Sequence, residues 1–308
     1  MHKVSTKVSA SNIQQVKILR TLTVILCLFF YQSSFSQEQD KSFTFSLFTG
    51  VMNYQGDLNP NSFTFKNSNF AAGIIIRKPL NRWFTVRGGI NRGTIEAADR
   101  NNRDYLKQRN LSFFTSIKEG YIALEATVLD ISTTRFTPYI YAGIAFFHFN
   151  PWTYDKSGTK TYLKPLSTEG QGLSQYPKQQ PYNLTQLALP FGVGAKYAVN
   201  DNLNIGIEFS QRKSFTDYID DVSSTYVDVN VLRQARGDKA VELAFRENET
   251  PLGRLQYPAH GEQRGTPSEM DWYYFFGLTM ELKLSSLTNI FSGSQKRVAS
   301  QRCPRNIW

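Results

Sequence analysis

The sequence predicts an all-β protein, a small antiparallel transmembrane β-barrel of about eight strands with four long extracellular loops and short periplasmic turns. Three observations point there. Eight runs alternate apolar and polar residues with a period of two, the links between them alternate short and long, and the chain opens on an export signal. The runs are Ser42 to Val51, Phe70 to Arg77, Trp83 to Arg92, Glu119 to Leu129, Phe136 to Phe147, Thr185 to Val199, Leu203 to Gln211 and Trp272 to Leu284. Lys78 to Arg82, Asp130 to Arg135 and Asn200 to Asn202 read as turns. Met52 to Asn69, Gly93 to Lys118, His148 to Leu184 and Arg212 to Asp271 are roughly 20 to 60 residues long, well beyond ordinary loop lengths.

In chain order the signal comes first. Residues 1–36 carry Lys3, Lys7, Lys17 and Arg20 with no acid, then an apolar stretch from Leu22 to Tyr31, then Ser34-Phe35-Ser36 ahead of Gln37. The stretch falls short of the roughly 20 residues a spanning helix needs and has no basic flank after it, so it reads as a cleaved signal. Leu26 is too large to precede a lipid-attachment site at Cys27. The expected division is therefore 1–36 signal peptide, 37–284 outer-membrane barrel and 285–308 basic periplasmic tail, with both mature termini periplasmic and the barrel integral to the outer membrane.

The strands divide into faces because successive side chains point oppositely. Leu203, Ile205, Ile207 and Phe209 share one side, and Asn204, Gly206, Glu208 and Ser210 the other. Ile122, Leu124, Ala126 and Val128 likewise oppose Tyr121, Ala123, Glu125 and Thr127. In the last run Trp272, Tyr274, Phe276, Leu278, Met280 and Leu282 oppose Tyr273, Phe275, Gly277, Thr279 and Glu281. The apolar sets face lipid. The polar sets place Arg77, Arg87, Lys196, Glu125, Glu208 and Glu281 inside, with Gly73, Gly89, Gly143, Gly192, Gly194 and Gly277 either leaving room for long Arg and Tyr side chains opposite or, the favoured reading, marking twist or bulge positions. A barrel of about eight strands is only wide enough for its own side chains, so no pore is expected and the six charges must pair. Phe43, Phe70, Trp83, Phe84, Phe146, Phe147, Trp152, Tyr197, Trp272 and Tyr273 are expected in interfacial girdles. A soluble sandwich is also aromatic-rich, but the signal and the loop asymmetry favour a membrane.

The loops and tail carry the remaining signals. Gln234 to Arg246 reads as a short amphipathic helix, Leu163 to Pro181 as irregular, and Tyr226 to Leu232 alternates like a strand that could extend the wall or make a ten-stranded barrel. Loss of Lys3, Lys7, Lys17 and Arg20 takes the net charge from +10 to +6. Part of the surplus is in the tail, where Lys296, Arg297, Arg302 and Arg305 stand without a carboxylate, suited to an acidic periplasmic partner or an anionic lipid. After cleavage Cys303 is the sole cysteine, which excludes an internal disulfide and leaves a free thiol or an intermolecular pair.

Chemistry is sparse. His148 and His260 lie in different loops without a nucleophile beside them, and Gly192-Val193-Gly194 lacks the helix a phosphate loop needs. Asp217, Asp220, Asp221 and Asp228 lack the ordered alternation of a calcium loop and read as turn and cap residues. The expectation is a non-enzyme with no cofactor, no metal and no nucleic-acid partner.

Three blocks carry a family likeness: Gly50-Val51-Met52-Asn53-Tyr54-Gln55-Gly56-Asp57-Leu58, then Arg212 to Ser223 continuing to Tyr226-Val227-Asp228, then Asp271 to Gly277, with a terminal Cys303-Pro304. The chain resembles the PorG-like outer-membrane barrel component of the type IX secretion system of Bacteroidota. Residues matching the likeness are Tyr54, Gly56, Asp57, Asp217, Tyr218, Asp220, Asp221 and Asp228. The resemblance implies an accessory protein of secretion and gliding that anchors or docks periplasmic ring proteins of the apparatus while embedded in outer-membrane lipid, with no catalytic residue. Lys296, Arg297, Arg302, Cys303 and Arg305 are the candidate contacts. The competing expectation is a general outer-membrane barrel acting through its surface loops as an adhesin or a minor transport component.

Overall fold

An extended segment with one oily and one polar edge can cross a bilayer only if every backbone group finds a partner, and closing the sheet on itself achieves that. In the computed structural model, which describes residues 42–61, 64–102, 104–131, 134–251 and 253–284, eight long strands do so. They are β1 (Thr44–Gln55), β2 (Ser68–Pro79), β3 (Phe84–Ala98), β4 (Ser112–Thr127), β5 (Phe136–His148), β8 (Thr185–Ala198), β9 (Leu203–Ser214) and β10 (Trp272–Lys283). The neighbour order is β3-β2-β1-β10-β9-β8-β5-β4, and β3 pairs with β4 to complete the ring, all antiparallel. The remaining strands, β6 (Trp152–Tyr154) and β7 (Lys160–Tyr162), form a hairpin hung from β4 through Phe114 and Trp152. The wall therefore has eight strands.

The outside is oily where it faces lipid. Ile90, Ile122, Phe146 and Leu278 are 62%, 61%, 63% and 61% exposed, a wasteful arrangement in water and the favourable one in hydrocarbon. Connections at one end are the short segments 80–83, 128–135 and 199–202, and those at the other are long. At the long-connection end β3, β4 and β9 run further than predicted. The reason is visible on β4, where outward residues past Lys118 are Ser116, Phe114 and Ser112, and on β3, where they are Thr94 and Glu96. Once the wall rises out of lipid the oily edge is no longer required, the alternation fades, and hydrogen bonding to the neighbour alone sustains the strand.

Over that end the long connections fold into a cap. It contains α1 (Asp104–Lys107), α2 (Val229–Arg236) and α3 (Asp238–Ala244). The strand-like pattern at Tyr226 to Leu232 is overridden by a helix start, since the Asp228 carboxylate accepts from the amides of Asn230 (2.8 Å) and Val231 (3.1 Å). Gly237, at φ 81°, turns α2 directly into α3, a conformation that favours glycine. Leu243 and Ala244 on α3 are buried, and the stretch from Leu163 to Pro181 holds only a single 3-10 turn. The predicted signal at 1–36 and tail at 285–308, with Lys296, Arg297, Arg302, Cys303 and Arg305, lie outside the described residues.

Candidate functional site: a filled lumen beneath a locked cap

Inward parity puts Arg77 on β2, Arg87 on β3, Glu125 on β4, Lys196 on β8, Glu208 on β9 and Glu281 on β10 in the lumen, and the structure buries all six there. Glu125 is the hub, accepting from Arg77 Nε at 3.1 Å, Arg87 Nη1 at 3.3 Å and Lys196 Nζ at 2.5 Å. Glu208 accepts both terminal nitrogens of Arg87, at 2.9 and 3.1 Å, and the phenols of Tyr139 and Tyr141, at 2.7 and 2.9 Å. Glu281 lies 3.1 Å from Arg77 and 3.2 Å from Lys196. Each cation thus reaches two or more anions, the arrangement that repays desolvation in a dry space.

The glycines serve this ladder. Tyr121 faces Gly89, Tyr139 faces Gly194 and Tyr141 faces Gly192 across neighbouring strands. A Cβ on Gly194 would collide with the Tyr139 ring, so the ring lies flat over bare backbone and its hydroxyl reaches Glu208. Gly89, Gly192 and Gly194 thus make room for rings, the less favoured of the two expected roles, whereas a Cβ at Gly143 or Gly277 would meet the backbone of the neighbouring strand and one at Gly73 the Asn91 side chain. A second tier lies nearer the cap. Arg212 Nε sits 3.0 Å from Glu119, which also accepts the phenol of Tyr273 at 2.8 Å and the amide of Asn91 at 2.9 Å. Sequence reasoning misses Glu119 and Arg212 because both stand at predicted strand ends, yet the same parity rule, run two residues further, finds them.

Above this tier the interior is packed with rings. Phe275, Tyr273, Phe147, Phe149, Tyr182 and Tyr218 form a column whose successive centroids lie 6.1, 5.1, 5.6, 6.1 and 4.8 Å apart. Phe147 and Tyr273, expected in the girdle, are fully buried in this column because both sit at inward parity. Trp152, also expected there, belongs to the β6–β7 hairpin and stacks on Phe114.

The cap is tied by buried charges from separate loops. Glu169 accepts the amides of Ser223 and Ser224, both at 2.9 Å, and Arg264 Nη1 at 2.8 Å. Arg264 also donates to the backbone of Asp221 at 2.6 Å. The Asp221 carboxylate takes Thr168 at 2.6 Å and Tyr182 at 2.7 Å. Arg109 holds Asp99 through two 2.8 Å contacts and donates to the carbonyls of Arg264 and Asp57.

Most residues of the family likeness converge here, far apart in sequence and adjacent in space, while Asp228 stands apart at the start of α2. Tyr54 lies 2.6 Å from Asp220 and 2.7 Å from Asp271 through its single hydroxyl. A phenol has one proton, so the second contact requires another on a carboxyl. Gly56 admits this approach, since a Cβ there would collide with both the Asp271 carboxyl and the Tyr54 hydroxyl. Asp57 accepts the Thr266 amide at 2.9 Å, Tyr218 reaches Glu169 at 3.4 Å, and Asp228 caps α2. Asp217 is buried with neither carboxylate oxygen hydrogen-bonded. Burial pushes Asp217 up to about 9 and Asp221 up to about 6. Burial, then like charge from Asp57 for Asp220 and from Asp220 for Asp271, raises those two carboxyls as well. Turn and cap roles therefore account for Asp228 and for only part of Asp220, which also accepts the Val222 amide at 2.9 Å. Turn and cap roles do not by themselves describe Asp217, Asp220 and Asp221, which are buried. Among the described residues no three His, Cys, Asp or Glu side chains form a group that could hold a metal. His148 pairs with Thr185 and His260 packs on Tyr176.

Solved structures similar to this chain include Neisserial surface protein A, at 8% identity and a TM-score of 0.38 over 79% of this chain and 97% of that one. Ail of Yersinia pestis, in complex with the heparin analogue sucrose octasulfate, is similar at 6% identity and 0.36, over 79% of this chain and 100% of its own. A major outer membrane protein from Thermus thermophilus is similar at 14% and 0.36, with the same two coverages. No curated protein matches. A family model described as "Domain of unknown function (DUF6089)" matches residues 19–238, more than half of the chain, and the chain belongs to that family.

Proposed function

We propose that this chain is a non-enzymatic outer-membrane barrel that anchors or docks components of a protein-secretion machine of the type IX, gliding-associated class. The observation that carries the reading is the lumen, filled by paired charges and roofed by the aromatic column. A barrel with no open passage acts from its ends. The blocks that resemble the PorG-like family support the secretion assignment, because they meet in the single knot of Tyr54, Asp220 and Asp271 that holds the cap on the wall. In this reading the cap faces outward, the short turns and both termini face the periplasm, and the basic segment with Lys296, Arg297, Arg302 and Arg305 meets the acidic side of a periplasmic ring. Removing residues 285–308 should release the ring on co-purification while the barrel stays inserted, and cross-linking through Cys303 in intact cells should capture a ring protein. Retention of the ring by the truncated chain refutes the docking role.

A second reading, an adhesin, is favoured by the exposed face of the β6–β7 hairpin, where Tyr154 and Tyr162 are 48% and 43% exposed and Lys160 lies 4.3 Å over the Trp152 ring. Replacing Tyr154 and Tyr162 by Ala leaves the buried cap contacts alone. Loss of cell-surface binding with unchanged secretion would select this reading.

A further inference from the structure

The outer wall carries a basic row that the fold leaves uncompensated. Arg92 on β3 lies directly opposite Lys118 on β4, and Lys118 directly opposite His148 on β5. All three are exposed and at outward parity, where directly opposed side chains stand about 5 Å apart and like charges destabilise the pairing. Among the described residues Arg92 and Lys118 make no ion pair or side-chain hydrogen bond. No acid faces outward on β2, β4 or β5, and the one on β3, Glu96, stands two outward positions further from the lipid belt.

The next outward row toward the membrane has a different character. Gly120 lies opposite Ile90 on one side and Phe146 on the other, both largely exposed. A Cβ at Gly120 would meet nothing within 4 Å, so neither a steric contact nor a left-handed backbone demands glycine there. The result is a one-residue notch between two large apolar side chains, immediately under two free cations. Each observation alone is ordinary. Together they describe an amphiphile in outline, with anionic oxygens at Arg92 and Lys118 and the first carbons of an acyl chain against Gly120.

We propose that the wall at Arg92, Lys118 and Gly120 binds a phosphate-bearing anionic membrane lipid. The phosphate bridges the guanidinium and the ammonium, which removes the repulsion across the β3–β4 pair, and His148 flanks it. The chain fills the notch between Ile90 and Phe146. This inference depends on the barrel and its lipid belt, and on nothing about secretion or adhesion.

The test uses the full chain refolded in neutral detergent with equimolar phosphatidylglycerol and phosphatidylcholine, the retained lipid being read by native mass spectrometry. Wild type should favour phosphatidylglycerol about 30-fold, the product of two basic residues acting beside an anionic headgroup. The R92Q/K118Q variant should retain the two lipids equally. G120I, which fills the notch and keeps both charges, should lower retention of both lipids while keeping the preference. Heat-modifiable gel migration confirms that each variant is folded, and all three positions face away from the lumen and cap. Equal retention by wild type, or an undiminished preference in R92Q/K118Q, overturns the proposal. So does displacement of phosphatidylglycerol by millimolar inorganic phosphate, which would mark an anion site indifferent to the chain.

Discussion

Glu125 is the point at which the lumen is most sensitive, because three cations lean on one fully buried carboxylate. Replacing it by Gln preserves shape and two hydrogen-bonding atoms but leaves Arg77, Arg87 and Lys196 facing only Glu208 and Glu281. One positive charge then lacks a counterion among fully buried neighbours, and breaking a buried pair in this way costs about 3–5 kcal/mol. Removing the surplus cation as well should recover most of that loss. Lys196 is the choice, since it bonds Glu125 at 2.5 Å and Glu281 at 3.2 Å and takes no part in the Arg87–Glu208 pair. The E125Q/K196M double variant should therefore lie within about 1–2 kcal/mol of wild type, recovering about 2–3 kcal/mol of the E125Q loss and making the pair strongly non-additive. Urea unfolding in lipid vesicles, followed by tryptophan fluorescence and by gel migration, measures all four corners of the cycle. If E125Q alone falls within about 1 kcal/mol of wild type, or the two changes simply add, then water reaches the ladder and the dry-lumen argument fails.

The acid knot gives a pH prediction. A carboxyl whose folded pKa is raised contributes stability that is fully present below its ordinary value of 3.8 and lost as pH rises through the folded one, here about 9 for Asp217. The cap should accordingly loosen between about pH 4 and 9, with hydrogen-exchange protection in residues 215–271, corrected for the intrinsic exchange rate, lower at the alkaline end, and D217N should flatten that dependence. A steeper dependence in D217N contradicts the assignment. Filling the place under a ring should also cost stability: G194V drives two methyl groups into Tyr139, worth about 1–3 kcal/mol in the same urea assay, and a neutral result would mean the ring does not lie over the glycine. In planar bilayers the purified barrel should show no steady conductance, whereas resolved single-channel steps at wild-type sequence would mean that the column from Phe275 to Tyr218 opens.

Most of the wall was legible because lipid imposes a strict rule. With hydrocarbon outside, every second residue from Ile122 to Ala126 had to be apolar, so parity assigned Glu125 and Glu208 inward without any knowledge of partners. Where the wall leaves lipid the rule lapses, and Glu119 and Arg212 slipped from view at that boundary. The cap was legible only in fragments. The helix near Ala240 has a local signal, whereas the pairing of Glu169 with Arg264, 95 residues apart, has none. The Asp220-Asp221 block shows the limit most clearly. Read locally, clustered Asp means turns and solvent; only the return of Tyr54, Gly56 and Asp271 from distant strands makes burial possible, and the raised pKa values follow from that burial.

The two buried polar systems differ in a way that bears on function. In the lumen each carboxylate has cations within 3.3 Å, so the ladder is balanced and has no reason to change state. In the cap Arg109 pairs with Asp99 and Arg264 with Glu169, while among the described residues Asp217, Asp220 and Asp271 form no ion pair and burial favours their protonated forms. Protons leave as pH rises and guanidinium groups do not. The cap is therefore the part of the molecule whose stability is negotiable, and the lumen the part that is not. Glu169, Asp221 and Arg264 join loops 149–184 and 215–271, and Arg109 adds loop 99–111, so ionisation of the knot strains three connections at once and the cap should open as a unit. Because the cap and the lumen hold their charges by different means, rising pH should weaken the cap before it reaches the ladder beneath.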